Sequence, residues 1–296
     1  MTSILTNVAA NSALQTLSTI NNSLEETQGR VSSGYKVSEA SDNVAYWSIS
    51  TTMNSDNMAL NAAADSLGVG AAKVDTAYAA MESAIDVVNE IKSKLVTATE
   101  TSTDKVQIQL EIGKLQQQLT SIAKGASFSG ENWMVSNGQT EGSVVDGFVR
   151  STATTGAESV AVTTATYDIA GNALFSDEDA TSGGILGTTG GVMSIELTDT
   201  TSQSDIAAFM TAVETALDGM TTAGGSLGAL STRIDLQTEY AGKLSDAIDE
   251  GVSRLVDADM EEESAKLSAL QTQQQLAIQS LSIANSSSQN LMTLFQ

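Results

Sequence analysis

Apolar residues recur at alternating spacings of four and three near both ends of the chain, which is the period of a coiled-coil seam. The N-terminal run has amide side chains at two of its positions and consists of Ala10, Leu14, Leu17, Asn21, Leu24, Gln28 and Val31. The C-terminal run keeps the period and is Val256, Met260, Glu263, Leu267, Leu270, Gln274, Ala277, Leu281, Ala284, Ser288, Leu291 and Phe295. The pattern predicts one long helix near each end, and we expect the two to pair along their apolar positions.

Helical spacing also fills much of the middle of the chain. Apolar seams within residues 74–95, 108–122 and 227–255 predict a bundle of long helices. Between residues 127 and 197 the stretches SVVDGFVRS, ESVAVTT, ATYDIAG and GVMSIELT are short, β-branched and bounded by Gly, Asn or Asp, as is typical of strands and hairpins. The predicted fold class is therefore mainly α with a small β region.

Both ends lack charge. Residues 1–24 and 267–296 contain no charged side chain, although the chain carries 36 acids and 13 bases, a net charge of −23. A helix on the surface of a globular protein shows a charged outer face, and disordered tails rarely keep a sustained heptad spacing. We therefore expect the ends to be buried by neighbouring chains, where amides find partners and an unpaired charge would be costly. Two frayed tails are the alternative.

Composition excludes several classes of function. The chain has no cysteine and no histidine, which removes disulfides, the usual zinc sites and imidazole chemistry, so we expect no enzyme, no metal site and no cofactor. The acidic balance disfavours binding to nucleic acid or to an anionic membrane. The N-terminus lacks the basic start and apolar stretch of a secretory signal, so any export is expected to proceed without a cleaved signal peptide.

Three local features resemble binding or catalytic sites, but their residues favour a structural role. The stretch DEDATSGG (177–184) resembles a calcium loop but lacks the glycine at its sixth place and the glutamate at its twelfth, so a solvated acidic loop is favoured. The three glutamates of MEEES (260–264) fan around a helix and predict a charged collar rather than an acid–base site. Trp47 and Trp133 are expected to be packing residues rather than stacking platforms.

Three stretches resemble the bacterial flagellins. RVSSGYKVSEASDNVAYWSIS (30–50) resembles the N-terminal signature of that family, in which a Ser-Ser-Gly turn separates two helices. VDADMEEESAKLSALQTQQQLAIQSLSIANSSSQNLMTLFQ (256–296) resembles its C-terminus, and FSGENWMVSNG (128–138) is similar to the turn after its inner helices. The sequences YWSIS and ENWMV are similar to the corresponding stretches in the flagellins of alphaproteobacteria.

The resemblance implies three parts. A terminal coiled-coil core domain would comprise residues 1–44 and 256–296, and a long-helix bundle with a β-hairpin would comprise residues 45–165 and 205–255. Residues 166–204 would form a small, solvent-exposed variable insert, and the hairpin would be GFVRSTATTGAESVAVTTA.

The implied function is that of a structural subunit that self-assembles into the helical filament of the bacterial flagellum and serves swimming motility. Such a protein is secreted, extracellular, and polymerises with itself or with sister flagellins. Its other partners would be the flagellar export apparatus, an export chaperone, and cap and junction proteins. The predicted assembly seam consists of Ala10, Leu14, Leu17, Leu24, Val31, Val256, Met260, Leu267, Leu270, Leu281, Leu291 and Phe295. A hook–filament junction protein and a non-filament coiled-coil surface adhesin remain the alternatives.

Overall fold

The computed structural model describes residues 7–100, 103–152 and 158–293, without the side chains of 151–159 and 287–293. In these ranges the helices are α1 (Val8–Ser33), α2 (Val44–Ala98), α3 (Lys105–Gly125), α4 (Ile169–Asn172), α5 (Gln203–Val256) and α6 (Met260–Thr293). The strands are β1 (Ser127–Phe128), β2 (Glu131–Asn132), β3 (Glu141–Thr152) and β4 (Glu158–Asp168), and a 3-10 turn spans Val192–Ser194. The predicted class, mainly α with a small β region, is confirmed.

The chain forms two compact units. The terminal unit holds the described residues of 1–57 and 246–296, and the central unit holds those of 58–245. Helices α2 and α5 therefore contribute residues to both units. The three-part division expected from the sequence, with its boundaries, stays a prediction.

Local hydrogen bonds set the ends of α1 in the terminal unit. The side-chain oxygen of Asn7 accepts a hydrogen bond from the N–H of Ala10 (3.1 Å), which starts the helix. Gly34 ends it in the left-handed conformation, with φ of 78°, and its N–H donates to the carbonyl of Arg30 (2.8 Å). The Ser-Ser-Gly stretch is thus the C-terminal stop of α1.

Two connections of the terminal unit lie side by side. The N–H of Lys36, after α1, donates to the carbonyl of Val256 at 2.7 Å. The N–H of Ala258, before α6, donates to the carbonyl of Gly34 at 2.9 Å. These bonds place the start of α6 beside the end of α1, so the two helices can run back along each other.

The helices of the central unit bury one face each in a shared apolar core. Fully buried side chains on them are Leu67, Val74, Met81, Val88, Ile91 and Leu95 of α2, Ile112 and Leu119 of α3, and Val213, Met220 and Leu227 of α5. Their spacings of three, four and seven keep one face of each helix inward. The buried faces therefore follow the predicted seams and extend beyond them to Leu67, Val213 and Met220.

Strands β3 and β4 form an antiparallel hairpin whose inner side joins this core. Val144 and Ala165 are paired and buried, whereas the register shifts at Asp146. The Asp146 carboxylate accepts two hydrogen bonds from the guanidinium of Arg233, at 3.0 and 2.5 Å, which ties the irregular point of the hairpin to α5. The expected β-hairpin is confirmed.

Residues 173–197 also pack onto the central core. The N–H of Leu174 donates to the carbonyl of Met134 (2.9 Å), and the N–H of Ser136 donates to the carbonyl of Phe175 (3.0 Å). The buried apolar side chains of this segment are Ala173, Leu174, Phe175, Ala180, Leu186, Val192, Ile195 and Leu197. The sequence analysis expected a solvent-exposed insert and did not predict that part of it is buried. The boundaries of the insert stay a prediction.

The two tryptophans have different surroundings. Trp133 is buried and stacks on Tyr167, with ring centroids 5.4 Å apart and planes inclined by 11°, so its packing role is confirmed. Burial raises the pKa of the Tyr167 hydroxyl, which has no hydrogen-bond partner within the described part of the chain. Trp47, which was expected to pack as well, is 40% exposed in the terminal unit.

The acidic loop closes on itself. One carboxylate oxygen of Asp177 accepts hydrogen bonds from the N–H groups of Ser182 (2.8 Å) and Thr181 (3.0 Å), and the other accepts from the Thr181 hydroxyl (2.7 Å). These bonds, that of Ser182 first, lower the pKa of Asp177 to about 2. The carboxylate is thus engaged within its own loop.

The loop should therefore open in acid. Because the pKa of Asp177 is lowered on folding, its contribution to stability is present above about pH 4 and is lost as the pH falls towards 2. In a carboxyl NMR titration Asp177 should titrate near pH 2, and Asp177→Ala should speed hydrogen exchange at the Ser182 amide. The control is Asp179→Ala, which should leave that amide protected. Titration of Asp177 near pH 4 would contradict the assignment.

Candidate assembly surface

Helices α1 and α6 lie antiparallel in the terminal unit. The side-chain amide of Asn7, at the start of α1, donates to the carbonyl of Ala284 at 3.0 Å. Further along, the side-chain amide of Gln274 donates to the side-chain oxygen of Asn21 at 2.8 Å. Partner positions fall along α6 as positions rise along α1, so the predicted pairing of the two ends is confirmed.

The predicted assembly seam is partly covered within one chain. Ala10 and Val256 are buried, whereas Leu14 and Met260 are 50% and 44% exposed. Intermediate exposure is found at Leu17, Leu24, Val31, Leu267, Leu270 and Leu281. The side chain of Leu291 and the whole of Phe295 lie outside the described part of the chain. Pairing of α1 with α6 therefore leaves apolar surface of the seam open to another partner.

Further apolar side chains point outward from the same two helices. The exposed fractions are 75% for Val8, 58% for Leu276, 52% for Ile278 and 69% for Ile283. We call these four the outer residues. The sequence analysis considered one apolar seam per helix and therefore did not predict these residues. The stretch QQQLAIQSLSIA nevertheless shows apolar residues between the seam positions.

The surface around the outer residues is uncharged. Residues 8–24 of α1 and 267–293 of α6 contain no Asp, Glu, Lys or Arg, so the polar positions there are amides and hydroxyls. Exposed apolar surface of this kind marks a site of contact with another protein. Covering it would bury no unpaired charge, and the amides can donate and accept hydrogen bonds across the contact.

The three glutamates at the start of α6 differ in their surroundings. Glu261 and Glu262 are exposed, and their N–H groups donate to the Asp259 side chain at 3.0 and 3.3 Å, which caps the helix. Glu263 is 7% exposed, and its Oε1 accepts a hydrogen bond from Nη1 of Arg30 at 3.2 Å. The expected charged collar therefore holds for the first two, while Glu263 is buried in the contact with α1.

Metal binding and membrane insertion were also considered for the described part of the chain. Among the described residues, no group of three or more Asp or Glu side chains is placed to hold a metal ion. No helix within the described ranges combines the length and apolarity needed to cross a bilayer. Paired end helices that present uncharged apolar surface indicate a structural protein that contacts other protein chains.

Two family models match the chain. The model of the bacterial flagellin N-terminal helical region matches residues 4–139, and that of the bacterial flagellin C-terminal helical region matches residues 210–295.

Full-length relatives agree with this match. The chain is 46% identical over 321 aligned positions to Flagellin C of Rhizobium meliloti (strain 1021), and 43% identical over 396 positions to Flagellin A of the same strain. It is 44% identical over 303 positions to Flagellin of Brucella melitensis biotype 1. In each case all of both chains is covered. The likeness to alphaproteobacterial flagellins expected from the sequence is confirmed.

The chain belongs to the bacterial flagellin family. It is a structural subunit of the flagellar filament, it self-assembles, and it is not an enzyme. The junction protein and the adhesin are not favoured, because the full-length relatives are flagellins.

Loss of the outer residues should weaken assembly without unfolding the subunit. In a variant with Leu276→Ser and Ile283→Ser, helix content should stay the same because both side chains are exposed. The critical concentration for polymerisation, measured by sedimentation, should rise by about tenfold or more, because apolar burial between copies is lost. Leu110→Ser, at a 63% exposed position of α3, is the matched control and should have a smaller effect. Unchanged assembly of the double variant would rule out this surface.

Proposed function

We propose that the filament is built through the terminal pair, α1 with α6. The assembly seam holds the two helices together, and neighbouring copies cover its exposed part together with the outer residues. The observation that carries this proposal is the exposure of Leu276, Ile278 and Ile283 on a stretch of helix without charge. A contact of this kind between different surfaces of identical copies, repeated without closing, produces a helical filament.

We further propose that the terminal pair is weakly ordered in the isolated subunit and becomes ordered when a neighbour is present. Half-buried seam residues such as Leu17 and Leu270 gain only part of the free energy of full burial. Ordering two long helices costs backbone and side-chain entropy at every residue. Contacts from several neighbours supply the remaining burial, so folding of the ends is coupled to incorporation.

The charge distribution supports an outward position for the middle of the chain. Residues 125–205 carry 11 acids against one base, Arg150. Densely packed copies would repel one another if these carboxylates faced inward. We propose that this part of each subunit faces solvent.

A small outer part also fits the lengths of the relatives. The alignment with Flagellin A of Rhizobium meliloti spans 396 positions against the 296 residues of this chain, so 100 positions have no residue here. We propose that the shortening falls in the variable insert near residues 166–204.

Further partners follow from family membership. Flagellins A, B, C and D all occur in Rhizobium meliloti, which supports a filament that mixes this chain with sister flagellins. We propose the flagellar export apparatus, an export chaperone, and cap and junction proteins as its other partners. The export route expected from the sequence stays a prediction.

Removal of residues 267–296 tests the proposed role of the terminal pair. The truncated chain should remain soluble and keep the helices of the central unit, because that core lies within residues 58–245. It should form no filaments by electron microscopy or sedimentation at concentrations where the full chain polymerises. Circular dichroism with a cooperative thermal transition checks that the truncated chain is folded. Filaments formed by the truncated chain would overturn the proposal.

A further inference from the structure

A partly buried ion pair crosses the terminal pair near the point where its uncharged stretch ends. Arg30 Nη1 donates to Glu263 Oε1 at 3.2 Å, and Arg30 Nη2 donates to Glu26 Oε1 at 2.6 Å. The side chains of Arg30 and Glu263 are 27% and 10% exposed. Arg30 thus links a carboxylate of its own helix to one from α6.

This pair is poorly suited to add stability. The second carboxylate oxygen of Glu263 is buried and has no hydrogen-bond partner among the described residues. Taking a carboxylate out of water is costly, and an ion pair offsets that cost only when its remaining polar atoms are satisfied. A pair with an orphaned oxygen therefore calls for a role other than stability, and the best established one is the choice of register.

The backbone hydrogen bonds of Lys36 and Ala258 hold the connections that flank the two helices. Along the helices themselves, few side-chain contacts distinguish one register from the next. Asn21 lies beside Gln274, and a slip of one heptad would place it beside Leu267 or Leu281, which lie seven residues away on the same seam. Such a slip moves α6 by about 10 Å and breaks the exposed Asn21–Gln274 hydrogen bond, but it brings the apolar residues of the two seams against apolar residues again. It would also separate Glu263 from Arg30 and leave both without that partner.

We propose that the Arg30–Glu263 ion pair sets the register of α1 against α6. Of the charged residues in the two helices, only Arg30 and Lys266 are basic, and Lys266 lies on the same helix as Glu263. A slipped pairing therefore offers Glu263 no cation of α1. The pair makes one register much more favourable than its heptad neighbours.

The register has a consequence for the filament, which rests on the function proposed above. It determines how far α6 extends along α1, and hence where Leu276, Ile278 and Ile283 meet a neighbouring copy. A shift of one heptad would displace these residues by about 10 Å, which is about two turns of helix. Arg30 and Glu263 are thus positioning residues for assembly.

Cross-linking can measure the register directly, because the chain has no cysteine of its own. Asn21→Cys is combined with Gln274→Cys to report the native register, and with Leu267→Cys or Leu281→Cys to report the two slipped ones. A short bis-maleimide is applied to filaments grown from the cysteine variant in a large excess of unmodified chain. Cross-links then form within one subunit, and they are quantified by peptide mass spectrometry.

With Arg30 and Glu263 present, the native cross-link should exceed the slipped ones by roughly a hundredfold, because a slip leaves the buried Glu263 carboxylate without its cation. In the Arg30→Leu, Glu263→Leu variant the helices should still pair, and this ratio should fall to within roughly tenfold. If that variant fails to enter filaments, Glu263→Gln serves as the test instead, because it keeps the shape of the side chain and removes its charge. The ratio of native to slipped cross-links should again fall. Glu262→Gln, at the neighbouring exposed carboxylate, is the matched control and should leave the ratio unchanged.

Two outcomes are distinguishable. An unchanged ratio in the Glu263→Gln and leucine variants would overturn the register role, whatever their assembly. A lost register with normal sedimentation of pure variant filaments would leave the register role standing. It would instead contradict the proposed link between register and assembly.

Discussion

A surface that is buried again in every copy of a polymer cannot hold an unpaired charge, and the terminal pair follows from that constraint. The desolvation cost of such a charge would recur at each subunit. Residues 8–24 of α1 and 267–293 of α6 accordingly carry none, although the chain has 36 acids. Amides and hydroxyls take the polar positions, because they can donate or accept hydrogen bonds from many neighbours. In the proposed filament, the apolar outer residues supply attraction between copies without charge repulsion.

The same constraint separates the roles of the two units. The central unit buries its own core, with Met81, Leu119 and Met220 almost fully covered, so it needs no partner to exclude water. The terminal unit keeps half-covered seam residues and exposed outer residues, which is the surface that we propose neighbouring copies cover. Arg30 and Glu263 lie near the end of the uncharged stretch, and the proposed role of their ion pair is to select a register.

The paired ends could be predicted from the sequence because a heptad period depends only on local spacing. The degree of burial could not, since it depends on how much of each helix its partner covers, and Leu14 proved to be half exposed. Glu263 was one of three equivalent glutamates in the sequence, and only the direction of its side chain distinguishes it. The buried face of residues 173–197 escaped prediction because its backbone partners, such as Met134, lie about forty residues away in a glycine-rich region without a clear period.

A cryo-electron microscopy reconstruction of filaments grown from the purified chain tests the central claim most directly. The account predicts that α1 and α6 are ordered and paired in every subunit, and that Leu276, Ile278 and Ile283 are covered by neighbouring copies. It also predicts that no carboxylate lies unpaired in that contact. A filament in which these side chains stay exposed to solvent, with copies joined only through their central units, would contradict it.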